Sequence, residues 1–201
     1  VEEALGNGII SIANLAENML PKIENELGKK VKHAAVVMAL RRYAEEISEH
    51  RKKTKAFDYS GEILMKTNIC DFSIVKSSSL LVKLKTIYNL VNFERGDTLN
   101  VIIGNNEVSI IINEKYKERL KRFLLGEKIL NKEEDLVSLA IIFKSEDFTN
   151  TPGVIFNIVR KLAWKNINIY EIVSTMTELT FILSKKDSMK AYNVLQEMVS
   201  K

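Results

Sequence analysis

The sequence is poor in the residues that usually mark secretion, metal binding or nucleophilic catalysis. Its single cysteine, Cys70, excludes an internal disulfide framework and a cysteine-rich zinc site. Two prolines and eight glycines in 201 residues leave little room for linkers and imply mostly regular structure. No apolar run is long enough to span a membrane and no secretory leader is visible, so the expected location is cytoplasmic. The chain opens at Val1, which leaves room for a native N-terminus before it. Charge of one sign is missing too. Ten Lys and Arg stand against eight Glu before Phe57, twenty against eighteen Asp and Glu after it, for a net charge of +4. Neither part has the basic excess of a nucleic-acid binder.

Catalytic constellations are equally scarce. There is no phosphate-binding loop, dinucleotide fingerprint or nucleophile elbow. His33 and His50 fall in the charged N-terminal part, and no base is placed beside Cys70 to activate it. Asp135, Glu146 and Asp147 lack the histidine partners that metal sites favour. No catalytic residue, metal or cofactor is assigned, and the chain is not expected to be an enzyme.

What is present is periodicity. Residues 1–57 read as a helical, helix-turn-helix-like domain. Ile12, Leu15, Ala16, Met19, Ile23 and Leu27 share one face, with a break or kink expected at Pro21 and a cap at Gly28. A second helix over 32–48 should bury Val36, Leu40, Tyr43 and Ile47. His50–Lys55 reads as a charged linker. From Glu62 an extended stretch changes face: Ile63, Met65 and Ile69 have one parity, Cys70, Phe72 and Ile74 the other. A period of two cannot switch sides without a bulge, so two strands, or one bent near residues 69–71, are expected. A helix bearing Leu80, Leu81, Leu84, Ile87, Tyr88 and Val91 follows, then a hairpin around Gly104–Glu107. A helix with Tyr116, Leu120, Phe123 and Leu124 and a short strand at 128–130 complete an order βαββαβ. Strand 136–143, helix 152–165, strands 167–174 and 179–184 and helix 186–199 repeat it, one strand short. The segment before Cys70 is predicted to supply that strand and intertwine the two modules.

The loop Asp147–Phe148–Thr149–Asn150–Thr151–Pro152–Gly153 opens the 152–165 helix. Thr151 is placed as N-cap and Pro152 in the first turn, and Gly153 lets a ligand approach the backbone. Free amides at a helix start suit a carboxylate. Loop-T-P-G-V-helix, then I-N-I, then a strand ending S-T-x-T-E, resembles an ACT domain, as in the regulatory half of aspartate kinase. The likeness is strongest over 135–200. Around Gly8, Ser11, Leu15, Ala16 and Ala35–Tyr43 the chain also resembles archaeal ACT-containing regulators of amino-acid metabolism.

The resemblance implies an α+β chain with three domains: residues 1–57 helical, 58–134 a first ferredoxin-like ACT module, 135–201 a second. It also implies a bound amino acid, with no cofactor. Its carboxylate would meet the Gly153 and Val154 amides and the Thr151 hydroxyl, its ammonium Asp147, its side chain Phe148, with Thr149 and Asn150 completing the loop. Asn168, Ile169 and Tyr170 would form the opposite wall from a partner chain, and Ser174, Thr175 and Glu178 match the family's polar strand end. Val75–Lys76–Ser77–Ser78–Ser79 replaces the loop in the first module without Gly or Pro, so that module is expected to be structural.

The expected function is non-enzymatic: an amino-acid-binding allosteric regulator, a homodimer or higher oligomer, with the helical domain reporting to transcription. Lys29, Lys30, Lys32, Arg41 and Arg42 offer phosphate contacts if the second helix enters a groove, or else are its solvated side. The alternatives are a subunit docking on an amino-acid biosynthetic enzyme and an oligomerisation module without ligand.

Overall fold

A computed structural model describes residues 2–6, 8–55, 57–144 and 148–199. The chain divides into two compact units, Val1–Asp58 with Asn150–Val154, and Tyr59–Thr149 with Ile155–Lys201.

In the first unit, α1 spans Glu2–Gly6, α2 Ile12–Leu27 and α3 His33–Lys55. Ser11 caps α2 by accepting from the Asn14 amide at 3.4 Å, and Gly28 ends it in the left-handed conformation expected. Pro21 does not break the helix. Its missing N–H orphans only the Glu17 carbonyl, and both residues are exposed, so water can take over the bond. Glu24 staples the following turn, accepting from the Val31 amide at 2.9 Å and pairing with Lys30 at 3.0 Å. The expected linker at 50–55 is helical instead, since Arg and Lys are good helix formers and neither Gly nor Pro interrupts them. Of the four residues predicted to be buried on the second helix only Val36 is so. Tyr43 is exposed, donating to Glu2 at 2.6 Å.

The second unit is built on one antiparallel sheet in the order β2-β3-β1-β4-β6-β5. Its strands are β1 (Gly61–Val75), β2 (Leu99–Ile103), β3 (Glu107–Asn113), β4 (Ile129–Phe143), β5 (Ile169–Ser174) and β6 (Glu178–Ser184). Its helices are α4 (Ser78–Leu84), α5 (Lys117–Phe123), α6 (Val154–Trp164) and α7 (Ser188–Val199). The strands expected at 128–130 and 136–143 are one strand, β4. The long helix expected after Ser79 is shorter: α4 ends at Leu84 and a 3-10 turn covers Ile87–Leu90. That break turns Leu90 inward and leaves Leu81 and Tyr88 exposed.

β1 and β4 each serve two half-sheets. Ile63–Lys66 pair with Ile141–Ser138, filling the strand position the second module lacks, and Cys70–Val75 pair with β3. Two offset bulges make this possible. Thr67 and Asn68 oppose the single residue Val137; Glu134 and Asp135 oppose the single residue Cys70. Each extra residue moves the following side chains to the other face. Asn68 and Asp135 take left-handed φ of 56° and 53°, a conformation Asn and Asp tolerate better than most residues. The face change seen in the sequence is therefore a bulge: Ile63 and Met65 before it and Cys70, Phe72 and Ile74 after it share the helix side, whereas Ile69 turns to the other.

On that side, Cys70, Phe72, Ile74, Ile110, Ile112 and Val108 pack under Leu80, Leu84, Leu120 and Leu124. The opposite side has its own cluster of Ile69, Ile111, Leu136 and Ile182, joined by Ile102 of β2 and Val173 of β5. β2 and β5 end the strand order at opposite edges, so their meeting on one cluster means the sheet curls around its helix-free side.

Candidate functional site

The loop after β4 begins with two aromatic rings: Phe148 is buried and stacks on Phe143 with centroids 4.7 Å apart. Asp147 lies outside the described residues. Thr149, Asn150, Pro152 and Gly153 are exposed, Thr151 is half-buried and Val154 is buried. Gly153 has φ +87°, and α6 begins only at Val154. Thr151 is therefore not the N-cap and Pro152 not in the first turn. Gly153 itself takes the cap position, because its backbone leaves the helical region there. The glycine is required by conformation, beyond any ligand's approach.

Asn168 is exposed just before β5, and Ile169 and Tyr170 open that strand. Ile169 pairs with Leu183, which pairs with Val137, whereas the loop leaves β4 at Phe143. Six residues of strand separate those ends, about 20 Å. One chain does not bring Phe143 and Ile169 together. Ser174, Thr175 and Glu178 lie at the Phe143 end. The Phe143 amide donates to the Thr177 carbonyl at 2.8 Å, the Thr175 amide to the Glu178 carbonyl at 2.9 Å, and the Thr180 hydroxyl to the Glu178 carboxylate at 2.6 Å. Glu178 closes the turn.

The corresponding position in the first module is filled from within. Ser77 caps α4 by accepting from the Leu80 amide at 3.0 Å. The Glu127 carboxylate accepts from the Ser77 hydroxyl at 2.8 Å and the Ser79 hydroxyl at 3.1 Å and pairs with Lys83 at 2.9 Å. Lys83 first, then Ser77, hold its carboxyl below the usual range. An internal carboxylate sits beside this helix start, which leaves the first module without an open anion site there. Glu127 was not legible as a partner, being 48 residues and more from the serines it meets.

On the first unit, Lys29, Lys30, Lys32, Arg41 and Arg42 are all exposed, with Lys30 engaged by Glu24. Exposed apolar side chains, Ile9, Met19, Leu27 and Met38, share that unit. Among the described residues no group of His, Cys, Asp and Glu is placed to hold a metal ion, and no helix is long and apolar enough to cross a membrane. Cys70 is buried, and burial pushes its thiol up to about 11, the opposite of an activated nucleophile.

No family model matches the chain, and no curated protein matches it in sequence. In structure it is similar to the ligand-free regulatory subunit of aspartate kinase from Thermus thermophilus, at 13% identity and a TM-score of 0.55, over 71% of this chain and 99% of that one. A C-terminal regulatory domain of aspartate kinase from Porphyromonas gingivalis is similar at 15% identity and a TM-score of 0.53, over 72% of this chain and all of that one. The aspartate kinase of Clostridium acetobutylicum, an allosteric enzyme, matches at 18% identity and a TM-score of 0.55, over 70% of this chain and 35% of that enzyme. Over about 70% of its length the chain thus has the fold of aspartate-kinase regulatory domains.

Proposed function

We propose that this chain is a non-enzymatic, amino-acid-responsive regulator that acts as a dimer. The observation that carries the reading is the shared sheet, in which β1 and β4 run through both half-sheets, together with the likeness in fold to a regulatory subunit of aspartate kinase. An amino-acid carboxylate would meet the amides at the start of α6, beside Gly153. Asn168, Ile169 and Tyr170 would come from the second chain, since one chain separates them from the end of β4.

The dimer is proposed to form through β5, whose outer backbone edge pairs with no described strand, and through the exposed face of α6. There Phe156 and Trp164 are 63% and 68% exposed, with the Arg160 guanidinium 5.4 and 4.9 Å from their rings. Trp164→Glu should convert a dimer to monomers in sedimentation. A wild type that is already monomeric would remove this assembly.

The primary test is thermal unfolding of the full chain with each of the twenty amino acids at millimolar concentration. A ligand at 100 times its dissociation constant adds about 2.7 kcal/mol, several degrees for a chain of this size. Stabilisation by one or two amino acids, reduced in Gly153→Asp, is the expected result. Absence of any shift would refute the reading. The exposed Ile9, Met19, Leu27 and Met38 favour docking on a protein as the output, against transcription through the basic residues of α3. Affinity for DNA that falls steeply with salt would reverse that preference.

A further inference from the structure

The helix-free side of the sheet holds a cleft of about 250 Å³. Part of its floor is a single cross-strand row, Leu64, Ala140, Thr180 and Val173, laid over β1, β4, β6 and β5. The next pair along β1 and β4, Lys66 and Ser138, extends it. The roof is the chain leading into β2, Phe93 and Asp97–Asn100. None of Thr149–Val154 lines the cleft.

Of the polar residues in its lining, Asp97 is already engaged by Lys115, Tyr116 and the Asn92 amide, and three others carry the argument. Lys66 Nζ donates to the Gly96 carbonyl at 3.0 Å, which ties floor to roof and leaves two of its three donors for other acceptors. Glu178 accepts from Thr180 on Oε1, and its other oxygen accepts from no described residue. Thr98, only 7% exposed, has a buried hydroxyl with no hydrogen-bond partner among the described residues. Buried hydroxyls are ordinarily paired, so this one points to a contact supplied from outside the chain.

We infer that the cleft binds a small zwitterion of the free amino-acid class, at a place separate from the α6 loop. Its carboxylate meets Lys66 and Thr98, its ammonium meets Glu178, and its carbon skeleton lies on Leu64, Ala140 and Val173. Each element excludes a competitor. A simple anion such as phosphate would set its charge against Glu178, and a metal or amine cation against Lys66.

The test separates this cleft from the loop. Full-length Gly153→Asp, in which the loop is silenced, is titrated calorimetrically with each of the twenty amino acids, alongside wild type. The expected result is that Gly153→Asp still binds one amino acid per chain. Adding Glu178→Gln or Lys66→Met should weaken that binding about tenfold or more, as loss of a charged hydrogen bond does. Ala140→Leu should block it, and the two polar variants carry the test if that core change impairs folding. If wild type binds but Gly153→Asp does not, the cleft is refuted and the loop stands. The cleft is equally refuted if residual binding ignores Glu178→Gln and Lys66→Met. If Gly153→Asp binds as wild type does and the cleft variants abolish binding, the loop falls and the cleft stands. Absence of binding to either chain refutes both.

Discussion

Deleting Asn68 should prevent folding of the second unit, whereas replacing it with glycine should leave the unit intact. Thr67 and Asn68 share one position opposite Val137, and this extra residue is what returns Cys70, Phe72 and Ile74 to the helix side. Without it β1 must either slip against β4 or turn all three residues, each fully buried, toward the helix-free side. Losing their burial costs about 1.5–3 kcal/mol for a large apolar side chain. Three together approach the 5–15 kcal/mol that is the whole stability of a typical domain. Asn68→Gly keeps the residue count and suits φ 56° at least as well. Asn68→Val keeps the count but places a β-branched residue in the left-handed region, for a loss of about 1–2 kcal/mol. Urea unfolding followed by circular dichroism, with near-ultraviolet signal as the measure of packing, ranks the three variants. A deletion variant that unfolds at the wild-type midpoint would refute the claim that the bulge sets the faces of β1. Wild-type stability in Asn68→Val would refute the claim that the left-handed residue matters.

Because β1 and β4 run through both half-sheets, Leu120→Ala on α5 and Leu195→Ala on α7 should each cost about 2–5 kcal/mol and lower one shared transition. Calorimetry showing two separate transitions in either variant would contradict that. Gly61→Ala should loosen the start of β1 by about 1–3 kcal/mol, since its Cβ would fall against the Ile142 carbonyl oxygen; hydrogen exchange at Ile63 and Ile142 reports it. Two carboxylates should give opposite pH limbs. Burial pushes the Asp71 carboxyl up, so its contribution is fully present below 3.8 and is lost as pH rises through the raised folded value; Asp71→Asn should flatten that limb in midpoints measured from pH 2 to 8. Lys115, then Tyr116, hold Asp97 down to about 2, so its contribution is present above 3.8 and lost as pH falls toward 2, and Asp97→Asn should remove the acid limb.

The parts of this fold that are periodic were legible. Alternation in β1 carried even its own interruption, because a bulge has to shift the parity of Cys70, Phe72 and Ile74. The hairpin at Gly104 and the stripe of α7 at Ala191, Val194, Leu195 and Met198 were readable for the same reason. Helix ends were not. Thr151-Pro152-Gly153 has good starting residues, but φ at Gly153 decides where α6 begins, and one sequence does not print a dihedral angle. The 50–55 stretch has linker-like charge and helix-forming side chains, and propensity prevailed. Long-range polar partners were hidden altogether. Nothing in the spacing of Ser77 and Glu127, or of Lys66 and Glu178, announces that the fold joins them around one helix start or one cleft.

β5 connects the two proposed events, ligand uptake and dimerisation. Val173 lines the cleft on the helix-free side; Ile172, one residue earlier, faces the other way and is partly exposed beside a backbone edge that pairs with no described strand. A zwitterion on Val173, held also by Glu178 at the start of the neighbouring β6, therefore touches the same six-residue strand that a second chain would extend. Position alone does not make that allostery. The ligand must bind one arrangement of β5 more tightly than another, and the shift it produces is limited by that difference. β5 is suited to having two arrangements: it pairs with only one described neighbour, and its register to β6 already slips between Ile169 and Glu171. Reciprocity follows. If a ligand tightens the dimer by some factor, the dimer must bind the ligand more tightly than the monomer by that same factor, so affinity should rise with protein concentration across the dimerisation range.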